Sequence, residues 1–353
     1  MNTMNRIDVK SAGFTDIGNH RSENQDQFLI ADLAKSVRIR AGSLRQEPGS
    51  RLFGESTGHL FLVADGLGGH RGGDEASRFA VQYCINSILN NPNWLTRIEP
   101  AEEDSFVEDL GSMLQGAHHA IEKRSKSAPG FTGMGTTLTL AYVDWPRMYI
   151  LHAGDTRCYL FRKNELRLVT RDHTVADEMV RSGQLAPEEL ERSQWSNVLV
   201  NALGAGAENV TPDVYKLHLL AGDSILLCSD GLNKHVSDIQ IRRALSDSND
   251  PNQICEQLVA LAKQGGGTDN ITVVQAIFTA PISSENRMQL FSSPAVEESI
   301  LQDLEIPESE LDTGELEPRP NSALSPPKET EQESDAKDTV DFSENEDQGL
   351  DIK

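Results

Sequence analysis

Residues 59–77, HLFLVADGLGGHRGGDEAS, constrain this chain more than any other stretch. Leu60, Phe61, Leu62, Val63 and Ala64 are apolar without interruption, which reads as a short strand buried on both faces. The strand delivers Asp65 at its end, and Gly66, Gly68, Gly69, Gly72 and Gly73 follow at once. Without side chains the backbone there can turn tightly and present a carbonyl to a ligand. A lone Asp-Gly is an ordinary turn former, but a second copy changes its weight. SILLCSDGLNK, 224–234, again runs an apolar strand into Asp230 and Gly231, and a third acid, Asp269, precedes the strand-like ITVVQAIF. Carboxylates gathered in a partly dehydrated cleft repel one another unless a hard divalent cation neutralises them. Donors that are all oxygen favour magnesium or manganese over zinc.

Charge divides the chain. Of the net −23, residues 281–353 hold 20 acids and 5 bases, leaving −8 for residues 1–280. The first part, within a chain of 353 residues that is 37% hydrophobic, is long enough for a large core. The second is rich in Pro, Ser and acids and too poor in apolar residues to offset the entropy of ordering, so a disordered tail is expected. The acidic balance argues against nucleic-acid and anionic-membrane partners. With no apolar run of membrane-spanning length and no apolar core in the amino terminus, a cytoplasmic chain is expected. Cys84, Cys158, Cys228 and Cys255 lack CxxC spacing, which supports neither zinc nor a disulfide framework.

Apolar spacing predicts strands at 11–18, 28–31, 60–64, 136–143, 148–154, 157–161, 215–220, 225–228 and 271–278. Helices are expected at 74–90, 106–121, 239–245 and 253–263. Residues 35–58 read as a long polar connection, and 154–156, Gly-Asp-Thr, as a hairpin turn. Asp155 in that turn is equally a turn former and a weak metal contact. Arg21 can clamp two phosphate oxygens at once, or be an ordinary solvated arginine. His152 and His173 read as structural, and the adjacent His118 and His119 as surface or satisfied polar positions, since neighbours cannot share one helix face.

Eight motifs follow one another: RSENQD (21–26), VADGLGGHRGGDEAS (63–77), GMGTTL (133–138), HAGDTR (152–157), DH (172–173), NVLVNALG (197–204), CSDG (228–231) and GTDNITVV (267–274). Over residues 12–278 the chain thereby resembles the metal-dependent serine/threonine protein phosphatases of type 2C, its bacterial members in particular. The resemblance implies an α+β fold, a four-layer α-β-β-α sandwich of two mostly antiparallel sheets flanked by helices, carried by residues 1–280. It implies hydrolysis of phosphoserine and phosphothreonine by direct attack of a water bridging two Mn2+ or Mg2+ ions. Asp65 would bridge both ions, Gly66 would lend its carbonyl to one, and Asp230 and Asp269 would hold the other. Arg21 would hold the substrate phosphate, Asp26 would orient water, and Asp155 would contribute to a weak, labile third metal site. The family's other acid for that third site is replaced by Asn233, and Gln25 stands where some members have glutamate. Residues 174–196 match the family's variable flap, where SQWSN replaces a His-Pro pair of many bacterial members.

Leu67 stands where some members carry a histidine that protonates the leaving alkoxide; water is then expected to do that work, with His70 as a substitute. The implied partners are phosphorylated proteins, substrates of a serine/threonine kinase, met by a monomeric phosphatase. The alternatives are a metal-binding pseudophosphatase that captures phosphoproteins and a scaffold acting through its acidic tail.

Overall fold

The structure is a computed structural model and describes residues 7–40, 51–68, 72–91, 94, 98–127 and 129–280. The tail, His70 and the tip of the 35–58 connection lie outside these residues. In chain order the strands are β1 (Asp8–Asp16), β2 (Asp26–Arg38), β3 (Arg51–Leu67), β4 (Gly135–Thr136), β5 (Leu138–Asp144), β6 (Arg147–Ala153), β7 (Arg157–Arg162), β8 (Glu165–Leu168), β9 (Leu203–Gly204), β10 (Asp213–His218), β11 (Ser224–Cys228) and β12 (Ile271–Thr279). The helices are α1 (Gly72–Asn90), α2 (Glu103–Ser125), α3 (Val175–Arg181), α4 (Asp230–Asn233), α5 (Asp238–Asp247) and α6 (Pro251–Gln264). One sheet runs β1-β12-β11-β7-β8; the other runs β10-β6-β5-β3-β4-β9, with β2 also paired to β3. Every named pairing is antiparallel.

Strand alternation produces the four layers. On β3, Leu60, Leu62 and Ala64 join a core with Ala80 and Cys84 of α1 and Leu110 and Leu114 of α2. The intervening Phe61 and Val63 pack with Ile225, Leu227, Val274 and Phe278 of the opposite sheet. On β11, Leu226 and Cys228 face Ile241 of α5 and Ile254 and Leu258 of α6. Each such leucine, isoleucine, valine or phenylalanine side chain, removed from water, contributes about 1.5–3 kcal/mol. The central strands are buried on both faces, so they hold the sandwich while their ends remain free for chemistry.

Three expectations are corrected. The ends of the 35–58 connection are strand: β2 and β3 stay paired out to Arg38 opposite Arg51, with register shifts near Leu33 and Ala34 that accommodate the irregular sequence. The 154–156 turn is not a hairpin, because β6 pairs with β5 and β10 whereas β7 pairs with β11 and β8. The turn therefore carries the chain from one sheet to the other. Gly154 makes this possible at φ +116°, where a Cβ would also strike the Thr137 side chain at 2.5 Å. Finally, Asp230 is the first residue of α4 and not the last of a strand, β11 having stopped at Cys228.

Candidate active site

The ends of both sheets meet in a cleft of about 550 Å³ that is lined by Arg21, Asp65, Gly66, Asp155, Asp230 and Asp269 among others. Asp65 comes from β3, Asp230 from the start of α4, Asp269 from the residues before β12, and Asp155 from the crossover between sheets. Sequence-distant acids thus converge because each sits where a buried strand reaches the same end of the sandwich. Gly66 is required sterically, as a Cβ there would lie 2.3 Å from the Gly73 carbonyl oxygen. That close approach ties the start of α1 to the end of β3. The Asp65 carbonyl accepts from Thr136 Oγ1 at 2.8 Å and from the Thr137 amide at 2.9 Å, which fixes the backbone that aims the carboxylate.

Electrostatics mark the cleft as unsettled without a cation. Burial pushes the Asp65 carboxyl well above the usual range, and the Asp26, Asp230, Asp155 and Asp269 charges push it the same way. Asp155 is likewise raised well above its ordinary value, by burial and then by Asp230. Asp230 is raised by burial, though Lys234 opposes it. Asp269 runs the other way: burial works to raise it, but the hydrogen bonds from Arg21 hold it below the ordinary value.

Arg21, half-exposed at the rim, donates through Nε to Asp269 Oδ1 at 2.7 Å and through its terminal nitrogen to Oδ2 at 2.8 Å. Asp26 is only 3% exposed and accepts from Ser229 Oγ at 2.7 Å.

Asp26 Oδ1 and Asp230 Oδ1 are buried without a hydrogen-bond partner. Buried oxygens of this kind are costly unless something absent from the protein chain satisfies them. The donor set, all carboxylate and carbonyl oxygen, suits a hard divalent cation. Among the described residues no three acidic, histidine or cysteine side chains are yet set around a common metal position. Protein cations stand among the acids instead: Lys234 contacts Asp230 Oδ2 and lies 3.4 Å from Asp269 Oδ2.

Lys234 is a residue the motif reading missed, although its place four residues past Asp230 puts it on the same face of a helical turn. Asn270 was missed too. Its amide donates to the Ile17 and Glu23 carbonyls, each at 3.0 Å, and its Oδ1 accepts from the Gln25 amide at 2.9 Å. It thereby pins the segment that carries Arg21 to the start of β12.

The histidines behave as structural groups. His152 is buried, accordingly held down to about 4, and bonded to Thr139 Oγ1 and the Arg171 carbonyl at 2.8 Å each. His173 Nδ1 accepts from the Gly154 amide at 3.2 Å, leaving Nε2 to donate to Asp213 at 3.2 Å, so it braces the turn that holds Asp155. His118 is buried with Nδ1 accepting from the Gly204 amide at 3.1 Å, while His119 is exposed. All four cysteines are free and buried, and Leu67 lines the cleft. No helix among the described residues is long and apolar enough to cross a membrane.

Residues 36–266 match the family described as Protein phosphatase 2C. The serine/threonine phosphatase Stp of Listeria monocytogenes is 33% identical over 216 residues, covering 61% of this chain and 82% of that one. The protein phosphatase PhpP of Streptococcus pneumoniae is 31% identical over 266 residues, covering 73% of this chain and 93% of that one. Among solved structures, the catalytic domain of the serine/threonine protein phosphatase PstP in complex with two manganese ions superposes with a TM-score of 0.60 at 29% identity. That likeness covers 78% of this chain and all of the other. A match that runs from β2 through α6, with relatives aligned at length, leads to one conclusion: this chain belongs to the protein phosphatase 2C family.

Proposed function

We propose that the chain is a metal-dependent protein phosphatase that hydrolyses phosphoserine and phosphothreonine in protein substrates, with the cleft around Asp65 as its active site. The observation that carries this reading is the convergence of Asp65, Asp155, Asp230 and Asp269 from both sheets, with an arginine at the rim. The Asp65 carboxylate and the Gly66 carbonyl would hold one manganese or magnesium ion, and Asp230 and Asp269 another, with Asp65 common to both; Asp155, beside Asp230, would serve a weaker third position. When bound, such ions supply the positive charge that activates water and clamps phosphoryl oxygens.

The chain's own residues do the rest. Arg21 has the planar fork for two phosphoryl oxygens, and Asp269 holds that fork at the rim before substrate arrives. Asp26, held at Oδ2 by Ser229 and buried opposite Asp65 on the neighbouring strand, would orient water from behind the cleft. Leu67 offers no proton, so the leaving alkoxide takes one from solvent. Residues 1–280 hold every group in this scheme and form the catalytic domain, with 281–353 as a separate acidic tail. A monomer opposing a serine/threonine kinase in the cytoplasm fits this substrate class, and four free, buried cysteines fit a reducing compartment. The test is phosphate release from a phosphothreonine peptide with manganese, and again after chelation. Release that is lost on chelation and restored by manganese supports the reading, whereas no release in either condition sinks it.

A further inference from the structure

Lys234 caps the C-terminal end of α4 and turns its side chain back into the cleft. Its ammonium contacts Asp230 Oδ2 and stands 3.4 Å from Asp269 Oδ2, and the side chain is only 27% exposed. Burial of that kind normally drives an ammonium toward neutrality. Here it stands within ion-pair distance of two carboxylates, Asp230 and Asp269. The two carboxylates it touches are the pair assigned above to one ion. Asp65, by contrast, has no ion pair of its own among the described residues; Asp26, Asp155, Asp230 and Asp269 press on it, and Arg21 acts on it only from the rim without contact.

Resting on the metal-dependent reading above, we propose that Lys234 is a tethered competitor for the metal position formed by Asp230 and Asp269. In the metal-free protein its ammonium neutralises Asp230 and, together with the closer Arg21, Asp269, and it has to leave Asp230 when an ion enters. A charge fixed to the chain acts at an effective concentration in roughly the millimolar range, so an ion at this position pays for displacing it. An ion held by Asp65 and Gly66 meets no such competitor. The two positions therefore fill in sequence, Asp65–Gly66 first and Asp230–Asp269 second, and Lys234 sets the metal concentration at which the second fills. It acts through the carboxylates and is a positioning residue.

The experiment is calorimetric titration of the full chain with manganese chloride, for the parent, Lys234→Gln and Lys234→Arg. We expect two classes of site in the parent. Lys234→Gln tightens the weaker class by about tenfold and leaves the stronger unchanged, and Lys234→Arg, which keeps the charge, stays near the parent. As a second measurement, saturating manganese raises the melting temperature of Lys234→Gln by more than that of the parent; a variant that folds only with manganese present counts the same way. Unchanged affinities in Lys234→Gln, or equal tightening in Lys234→Arg, overturn the role of Lys234 while leaving the metal reading intact. Absence of manganese binding in parent and variants alike overturns both.

Discussion

Asp26 and Asp65 stand directly opposite each other across the β2–β3 ladder, at the end of the pair that opens into the cleft. Like charges in that position repel, and the strands tolerate them at a cost. Burial above all, with Asp230 and Asp269 adding to it, pushes the Asp26 carboxyl up to about 7. A group whose folded value lies above its unfolded value of about 3.9 binds its proton more tightly when folded. Its stabilising contribution is complete below about pH 4 and is lost as pH rises to about 7. We expect the melting temperature of the metal-free protein to fall across that window, and Asp26→Asn to flatten the fall. Parallel melting curves for parent and variant would remove Asp26 from this role.

Arg21 is bonded to both oxygens of Asp269, and in the proposed reaction its fork would also take the substrate phosphate. Arg21→Ala is expected to raise KM for a phosphopeptide by about tenfold with a smaller change in kcat, because it removes a charge-assisted clamp and no metal ligand. Steady-state kinetics at saturating manganese decide this. An unchanged KM would assign Arg21 to holding Asp269 alone.

Leu67 lines the cleft and cannot donate a proton. A serine or threonine alkoxide leaves poorly without an acid, whereas the phenolate of an aryl phosphate leaves readily. Leu67→His is therefore expected to gain on a phosphopeptide relative to an aryl phosphate, measured across pH for both substrates. Equal change on the two substrates would contradict protonation by solvent in the parent.

Much of this site was legible in the sequence because its acids lie at the ends of strands whose apolar runs are unbroken. Asp65, Asp230 and Asp269 each follow or precede such a run, and strand alternation then dictated the layers. The paired stretch beyond Leu33 was hidden by its polar, irregular composition, which reads as a connection although the backbones continue to bond. The crossover at Asp155 was hidden because Gly-Asp-Thr between two strands has the chemistry of a hairpin, and only the pairing partners reveal that the strands lie in different sheets. Lys234 and Asn270 were overlooked because each acts through a contact that motif order does not encode. One closes on an acid 35 residues away, and the other on backbone carbonyls of a segment near residue 20.

Asp230 faces both the proposed metal position and the neighbouring carboxylates, so its neutralisation separates catalysis from stability. The decisive measurement is phosphate release from a phosphothreonine peptide as manganese is titrated, parent against Asp230→Asn, with melting temperatures of both metal-free proteins. We expect turnover to fall by on the order of 100-fold or more at every manganese concentration. The metal-free variant should stay folded at neutral pH, with a melting temperature close to the parent's, because relief of a buried carboxylate held above its ordinary value opposes the loss of the Lys234 ion pair. Parent-like manganese activation in Asp230→Asn would contradict the assignment of this cleft as the metal-dependent active site.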